Sequence, residues 1–132
     1  MTRRAHRRDE RGAASIEMVV LLPALFAVLF LGMQAALYYH ARTIAIAAAQ
    51  EGARAAAANH AGSGDGIAAA YAYLADAGDS LESSRATAQR TATTATVTIR
   101  GRSLSVIPGW KPVITQQASA EVERLTAPSE NR

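Results

Sequence analysis

Hydrophobic and polar positions divide this chain into three regimes. Residues 1–12 (MTRRAHRRDERG) have no periodicity and almost no apolar content, and read as a disordered basic tail. From Met18 to Met33 every residue except Pro23 is apolar or glycine, and Ala35, Ala36 and Leu37 extend the run past Gln34. Met18 to Leu37 as a helix would be roughly 30 Å long, the thickness of a bilayer's hydrocarbon core. His40 to Ala61 lacks proline and is mostly alanine, so the helix is predicted to continue beyond the membrane. Along it, Ala48, Gly52 and Ala56 form an i, i+4, i+8 ridge with almost no side chain, over which two backbones can approach closely. Glu51 and Arg54 make an i, i+3 pair on an exposed side.

Gly62-Ser63-Gly64-Asp65-Gly66 predicts a flexible turn. Ile67, Tyr71 and Leu74 then recur as the stripe of a short amphipathic helix over 67–77, ended by Gly78-Asp79. Leu81 to Arg90 is polar and gives no clear period, a helical turn or two at most. Ala95, Val97 and Ile99 alternate with threonines and Arg100, a half-buried strand. A tight turn at Gly101-Arg102, a second short strand through Leu104 and Val106, and a stop at Pro108-Gly109 follow. A third strand has Ile114, Gln116, Ala118, Ala120 and Val122 facing in. Residues 126–132 are a polar tail. Three short strands need a helix on their apolar face. The expected fold is therefore α+β: a long N-terminal transmembrane helix continuing into an extracytoplasmic helix, a short second helix and a small antiparallel sheet. The expected divisions are a cytoplasmic leader 1–12, a transmembrane helix 13–39, an extracytoplasmic domain 40–125 and a disordered tail 126–132.

Composition changes this picture in one respect. Nearly half of the 132 residues are apolar, yet mean hydropathy is close to zero, because one segment holds much of the greasiness. The isoelectric point near 9.8 suggests nucleic acid, but the charge sits in the leader. Residues 1–12 hold Arg3, Arg4, Arg7, Arg8 and Arg11 against Asp9 and Glu10, and the remaining 120 residues balance nine basic with nine acidic groups. A nucleic-acid-binding body would carry its own basic face; no such partner is expected. The arginines before Met18 predict N-terminus inside and C-terminus outside, with Tyr38 and Tyr39 at the outer interface. No cysteine is present, and His6, His40 and His60 lack a second ligand at metal-binding spacing, so no metal or cofactor is expected. No nucleophile–base set, no paired acids and no phosphate-binding loop appear; the reading is not an enzyme and not a binder of small-molecule substrates.

A cleaved signal peptide would have a shorter apolar core and an early A-x-A site, whereas Ala45-Ile46-Ala47 lies inside the continuing helix. Glu17 at the head of the apolar run stands out, because a carboxylate is expensive there. Gly12-Ala13-Ala14-Ser15-Ile16-Glu17 before an apolar helix resembles the processing site of type IV prepilins and pseudopilins. The stretch ERGAASIEMVVLLPALFAVLFLG, with Tyr38-Tyr39 and Gln50-Glu51-Gly52-Ala53-Arg54, looks like the TadE family, small pseudopilins of tight-adherence (Flp-type) pilus systems. The resemblance covers roughly residues 9–58 and includes Pro23, a point of helix flexibility and packing. It implies cleavage between Gly12 and Ala13 by a prepilin peptidase, and pairing of Glu17 with the new ammonium of Ala13 on a neighbouring subunit. Its implied partners are the bilayer, other pilin-like subunits and the pilus assembly machinery. Ala13 departs from the Phe or Met usual at this position in major pilins. Two other readings stand beside it: an uncleaved membrane-tethered binding module, and a secreted protein released by signal peptidase.

Overall fold

The computed structural model describes residues 9–124. Most of the basic leader and the tail 126–132 lie outside the described residues. Helix α1 runs unbroken from Asp9 to Ala57, 49 residues and about 74 Å at ~1.5 Å each. It thus begins inside the segment read as an unstructured leader. Pro23 does not interrupt it, although it removes the backbone donor that would meet the carbonyl of Val19. Helix α2 follows (Ser63–Asp76), then strands β1 (Leu81–Arg90), β2 (Thr94–Ser103) and β3 (Val113–Glu121). The strands form one antiparallel sheet in the order β1-β2-β3. The fold is α+β, as the periodicity predicts.

The core lies between the inner sheet face, α2 and the second half of α1. It gathers Ala41, Ile44, Ala45, Ala48, Ala49 and Ala53 of α1 with Ala70 and Leu74 of α2 and Leu81, Val97, Ile99 and Ile114 of the sheet. The α1 contribution is almost all alanine, so the sheet packs close to the helix and its larger Val97, Ile99 and Ile114 fill the space. At the far end Ala56 and Ala57 meet Ala95, and the Glu123 amide donates to the Ala57 carbonyl at 3.0 Å.

Four local expectations need correction. Gly62–Gly66 is not a flexible turn: α2 starts at Ser63, and the Asp65 carboxylate accepts the Gly62 amide at 2.7 Å. The buried stripe of α2 is Gly66, Ala70 and Leu74; Ile67 is half-buried and Tyr71 exposed, with the Tyr71 hydroxyl accepting the Ala86 amide of edge strand β1 at 3.1 Å. Residues 81–90 are a strand. Its period is unreadable because the register shifts between Glu82 and Arg85, with Ser83 at φ 50, and because two inward positions are Ala86 and Ala88. Gly101 is no turn but a buried position of β2, and Leu104 and Val106 form no strand. The Leu104 carbonyl and Val106 amide, which a ladder would use, are taken by the side chain of Gln34.

Candidate functional site

The functional candidates lie along α1, which has two unlike halves. From Ala14 to Met33 every residue is exposed around the whole circumference, including Val19 at 73%, Leu25 at 65% and Phe30 at 49%. Such a surface would not stay in water. The stretch is long and apolar enough to cross a membrane. Two polar groups bracket it. Glu17 is exposed near its head, and Gln34, 3% exposed, closes it. Their separation of 17 residues is ~26 Å along the axis, close to the hydrocarbon thickness.

Gly12 and Ala13 lie in the second turn of α1 rather than in an extended segment. Gly12 is exposed, with open space around it. Pro23 is exposed on the apolar stretch, six residues beyond Glu17. These residues share one helix, well ahead of Gln34, where α1 is hydrogen-bonded to the β2–β3 connection.

The second half of α1 is covered on one side. Ala48, Gly52 and Ala56 are all buried. Their ridge faces α2 and the sheet of the same chain. A Cβ on Gly52 would lie 2.7 Å from the Gly66 carbonyl oxygen and 3.1 Å from both the Ala70 Cβ and the Val97 Cγ1. The close backbone approach that small residues permit is thus used to cross α1 over α2. Glu51 and Arg54 pair at 3.3 Å on the exposed side, where such a pair contributes little.

Gln34 is the residue whose role the pattern does not reveal, since it reads only as an interruption of an apolar run. Its Oε1 accepts the Val106 amide at 3.0 Å and the Ser105 hydroxyl at 2.9 Å, and its Nε2 faces the Leu104 carbonyl at 3.5 Å. One side chain thereby pins the β2–β3 connection, residues 104–112, to α1. Gln34→Leu is expected to keep the helix apolar but orphan the Val106 amide, at about 1–3 kcal/mol for an unsatisfied buried group. Faster proteolysis within 104–112, with the core strands still protected, is the measurement; unchanged cleavage there would refute the pinning.

Beside that connection an apolar groove of about 380 Å³ is lined by Leu31, Ala35, Tyr38, Tyr39, Trp110 and Pro112 as well as Gln34. Tyr38 and Tyr39 contact edge to face with centroids 5.8 Å apart. A second cavity, about 390 Å³, opens on the outer sheet face between Arg85, Arg100 and Arg102. Among the described residues no three His, Cys, Asp or Glu side chains gather as a metal-binding group.

Comparison with known proteins bears on the first half of this arrangement. No curated protein and no solved structure matches the chain. Residues 12–54, from the glycine ahead of the apolar helix to the arginine of the QEGAR segment, match the family model described as TadE-like protein.

Proposed function

We propose that this protein is a non-catalytic pseudopilin-like membrane subunit that takes part in assembling a tight-adherence type pilus or a related secretion apparatus. The observation that carries the reading is the wholly exposed apolar helix from Ala14 to Met33, headed by one carboxylate and lying within the TadE-like segment. In this reading α1 crosses the membrane with its basic leader inside and the domain built on its second half outside. A prepilin peptidase cuts after Gly12, the residue of that turn whose helical state is easiest to undo. The cut removes the arginine-rich leader and creates an ammonium at Ala13. Either charge alone at membrane depth is costly, and Glu17 of one subunit paired with the ammonium of another lowers the cost of both. Partners are then the bilayer, the peptidase and other pilin-like subunits.

The signal-peptidase alternative conflicts with the packing. Ala45-Ile46-Ala47 lies mid-helix with Ala45 wholly buried, so a cut there would strip Ala41, Ile44 and Ala45 from the core. The N-terminal residue of the mature protein tests all three readings. Ala13 supports the proposal, Met1 or Thr2 the uncleaved module, and a start near residue 48 a secreted product. Gly12→Ser should block processing, because a hydroxymethyl crowds a cut that needs a small residue, and the protein should keep the mass of its twelve-residue leader. Identical intact masses for wild type and variant would reject cleavage here. A reporter fused after Arg132 should be active only outside the membrane; cytoplasmic activity would reject the orientation.

A further inference from the structure

The outer domain reaches into the height of the predicted span. Residues 13–39 are the segment assigned to the bilayer, yet the 104–112 connection meets α1 at Gln34, and Trp110 and Pro112 line a groove with Leu31 and Ala35. Both hold only if that connection lies in the membrane's outer interfacial zone. We propose that residues 104–112, with Arg100 and Arg102 at the adjoining end of the sheet, are a docking surface for an anionic phospholipid bilayer, seating the outer domain on the membrane that α1 crosses. The inference rests on the membrane-spanning reading of α1.

The connection suits that zone. It exposes Leu104 and Trp110, and Val113 stands exposed where β3 begins. Part of its backbone is bonded within the protein: Gln34 serves Leu104 and Val106, the Ser105 hydroxyl accepts the Ile107 amide at 3.1 Å, and the Ile107 carbonyl accepts the Trp110 amide at 3.3 Å. Each backbone group bonded in this way lowers the cost of entering a poorly hydrated layer. Trp110 and Tyr39, half or more exposed, are the amphipathic rings that collect at headgroup level. The groove between them opens at Leu31 onto the exposed apolar face of α1, so an acyl chain lying along α1 fills it without a break.

The charge at the same end of the domain fits phosphates. Arg85 and Arg100 are direct cross-strand partners, and Arg102 follows on the same outer face. Like charges so placed repel. Among the described residues none of the three arginines forms a salt bridge, although Glu82 is the register partner of Arg102. The nearby Glu82 carboxylate is engaged by Lys111 at 2.7 Å. Arg102 is the register partner of Val113, one residue after Pro112, so the cationic end and the Trp110 connection are adjacent. Lipid phosphates supply the missing anions, and guanidinium forks match their geometry. Farther along that face Thr96 and Ser119 are bonded to each other at 2.8 Å, and Glu121 is exposed opposite Thr94 at its far end.

Trp110 is the chain's single tryptophan and there is no native cysteine, so the full chain reports on itself. It is reconstituted in vesicles of phosphatidylcholine, alone or with phosphatidylglycerol, using lipids brominated near the headgroup end of the acyl chain. Val28→Cys, probed with a water-soluble maleimide, reads the span separately. The expected result is a protected Val28→Cys, with Trp110 blue-shifted, quenched by bromolipid and shielded from iodide. Phosphatidylglycerol should deepen the quenching, and Arg100→Gln with Arg102→Gln should lower the docked-to-undocked ratio by roughly fivefold per arginine. A protected Val28→Cys with Trp110 as open to iodide as free tryptophan amide would overturn the docking surface and leave the span intact. Labelling of Val28→Cys from water would overturn both. A Trp110 shift without bromolipid quenching that disappears on diluting the protein in lipid would give the groove to a second copy instead. A phosphatidylglycerol effect unchanged in the arginine variant would overturn the headgroup assignment.

Discussion

Gly52→Val is expected to unfold the domain built on the second half of α1 while leaving the exposed apolar half helical. Alanine alone would set a methyl group 2.7 Å from the Gly66 carbonyl oxygen, a backbone atom that moves only if α2 moves with it. Overpacking of this kind costs about 1–3 kcal/mol, against a helix-propensity gain of about 1 kcal/mol. Valine adds two methyls against Ala70 and Val97, each already 3.1 Å from the Cβ position. A domain this small has little stability to lose. Two other glycines calibrate the effect. A Cβ on Gly101 would meet the Leu81 Cγ at 2.6 Å, but that is a side chain able to turn away, so Gly101→Ala should cost less than Gly52→Val. A Cβ on Gly64 would meet nothing within 4 Å, so Gly64→Ala should be neutral or stabilising. Near-UV circular dichroism melts and limited proteolysis of the full chain in micelles read all three. A Gly52→Val melt that overlays the wild type would refute the α1–α2 crossing.

The largest functional loss is expected at Glu17. A charged group deep in a membrane helix costs about 2.5–3.5 kcal/mol on insertion scales, and less toward the interface. Glu17→Ala removes that cost, so its membrane level should match or exceed wild type, and cleavage after Gly12 should proceed. If the proposed pairing holds, crosslinks to other pilin-like subunits should be lost, and fibres lost or scarce, since a neighbour's ammonium at Ala13 would have no counter-charge. Glu17→Gln should fail in the same way, since it keeps the shape and loses the charge. Glu17→Asp, one methylene short, should recover part of the crosslinking. Normal crosslinking and fibre counts in both the Ala and Gln variants would reduce Glu17 to an interfacial carboxylate and favour the uncleaved, tethered module. Gly52→Val provides the contrast: it should be inserted and processed normally and fail only through its outer domain.

How much of this was legible in advance follows from which forces are local. The apolar run needs only its own composition to be read, because a helix that satisfies its backbone internally and meets lipid on every side requires no partner. Gly12, Ala13 and Glu17 lie on that one uninterrupted helix, and the role proposed for them comes from a family resemblance. β2 and β3 were readable too, since Val97, Ile99 and Ile114 mark an inner face by strict alternation. What escaped was decided by contacts across the fold. β1 hides its period behind a bulge and inward alanines, and owes its existence to pairing with β2 and to the Tyr71 hydroxyl. Gly66 reads as a turn residue, yet it is helical because α1 presses against it at Gly52 and Ala56 and leaves no room for a side chain. Gln34 shows the division most sharply. In sequence it is a flaw in an apolar segment. In the folded chain it is buried and hydrogen-bonded to a loop about seventy residues away, because the alanine-faced helix lets the sheet and its connection approach closely enough for one amide to replace a strand's ladder. A membrane-length helix with a charged head follows from local composition; where the domain meets that helix follows from packing between residues far apart in the chain, Gln34 and the 104–112 connection above all.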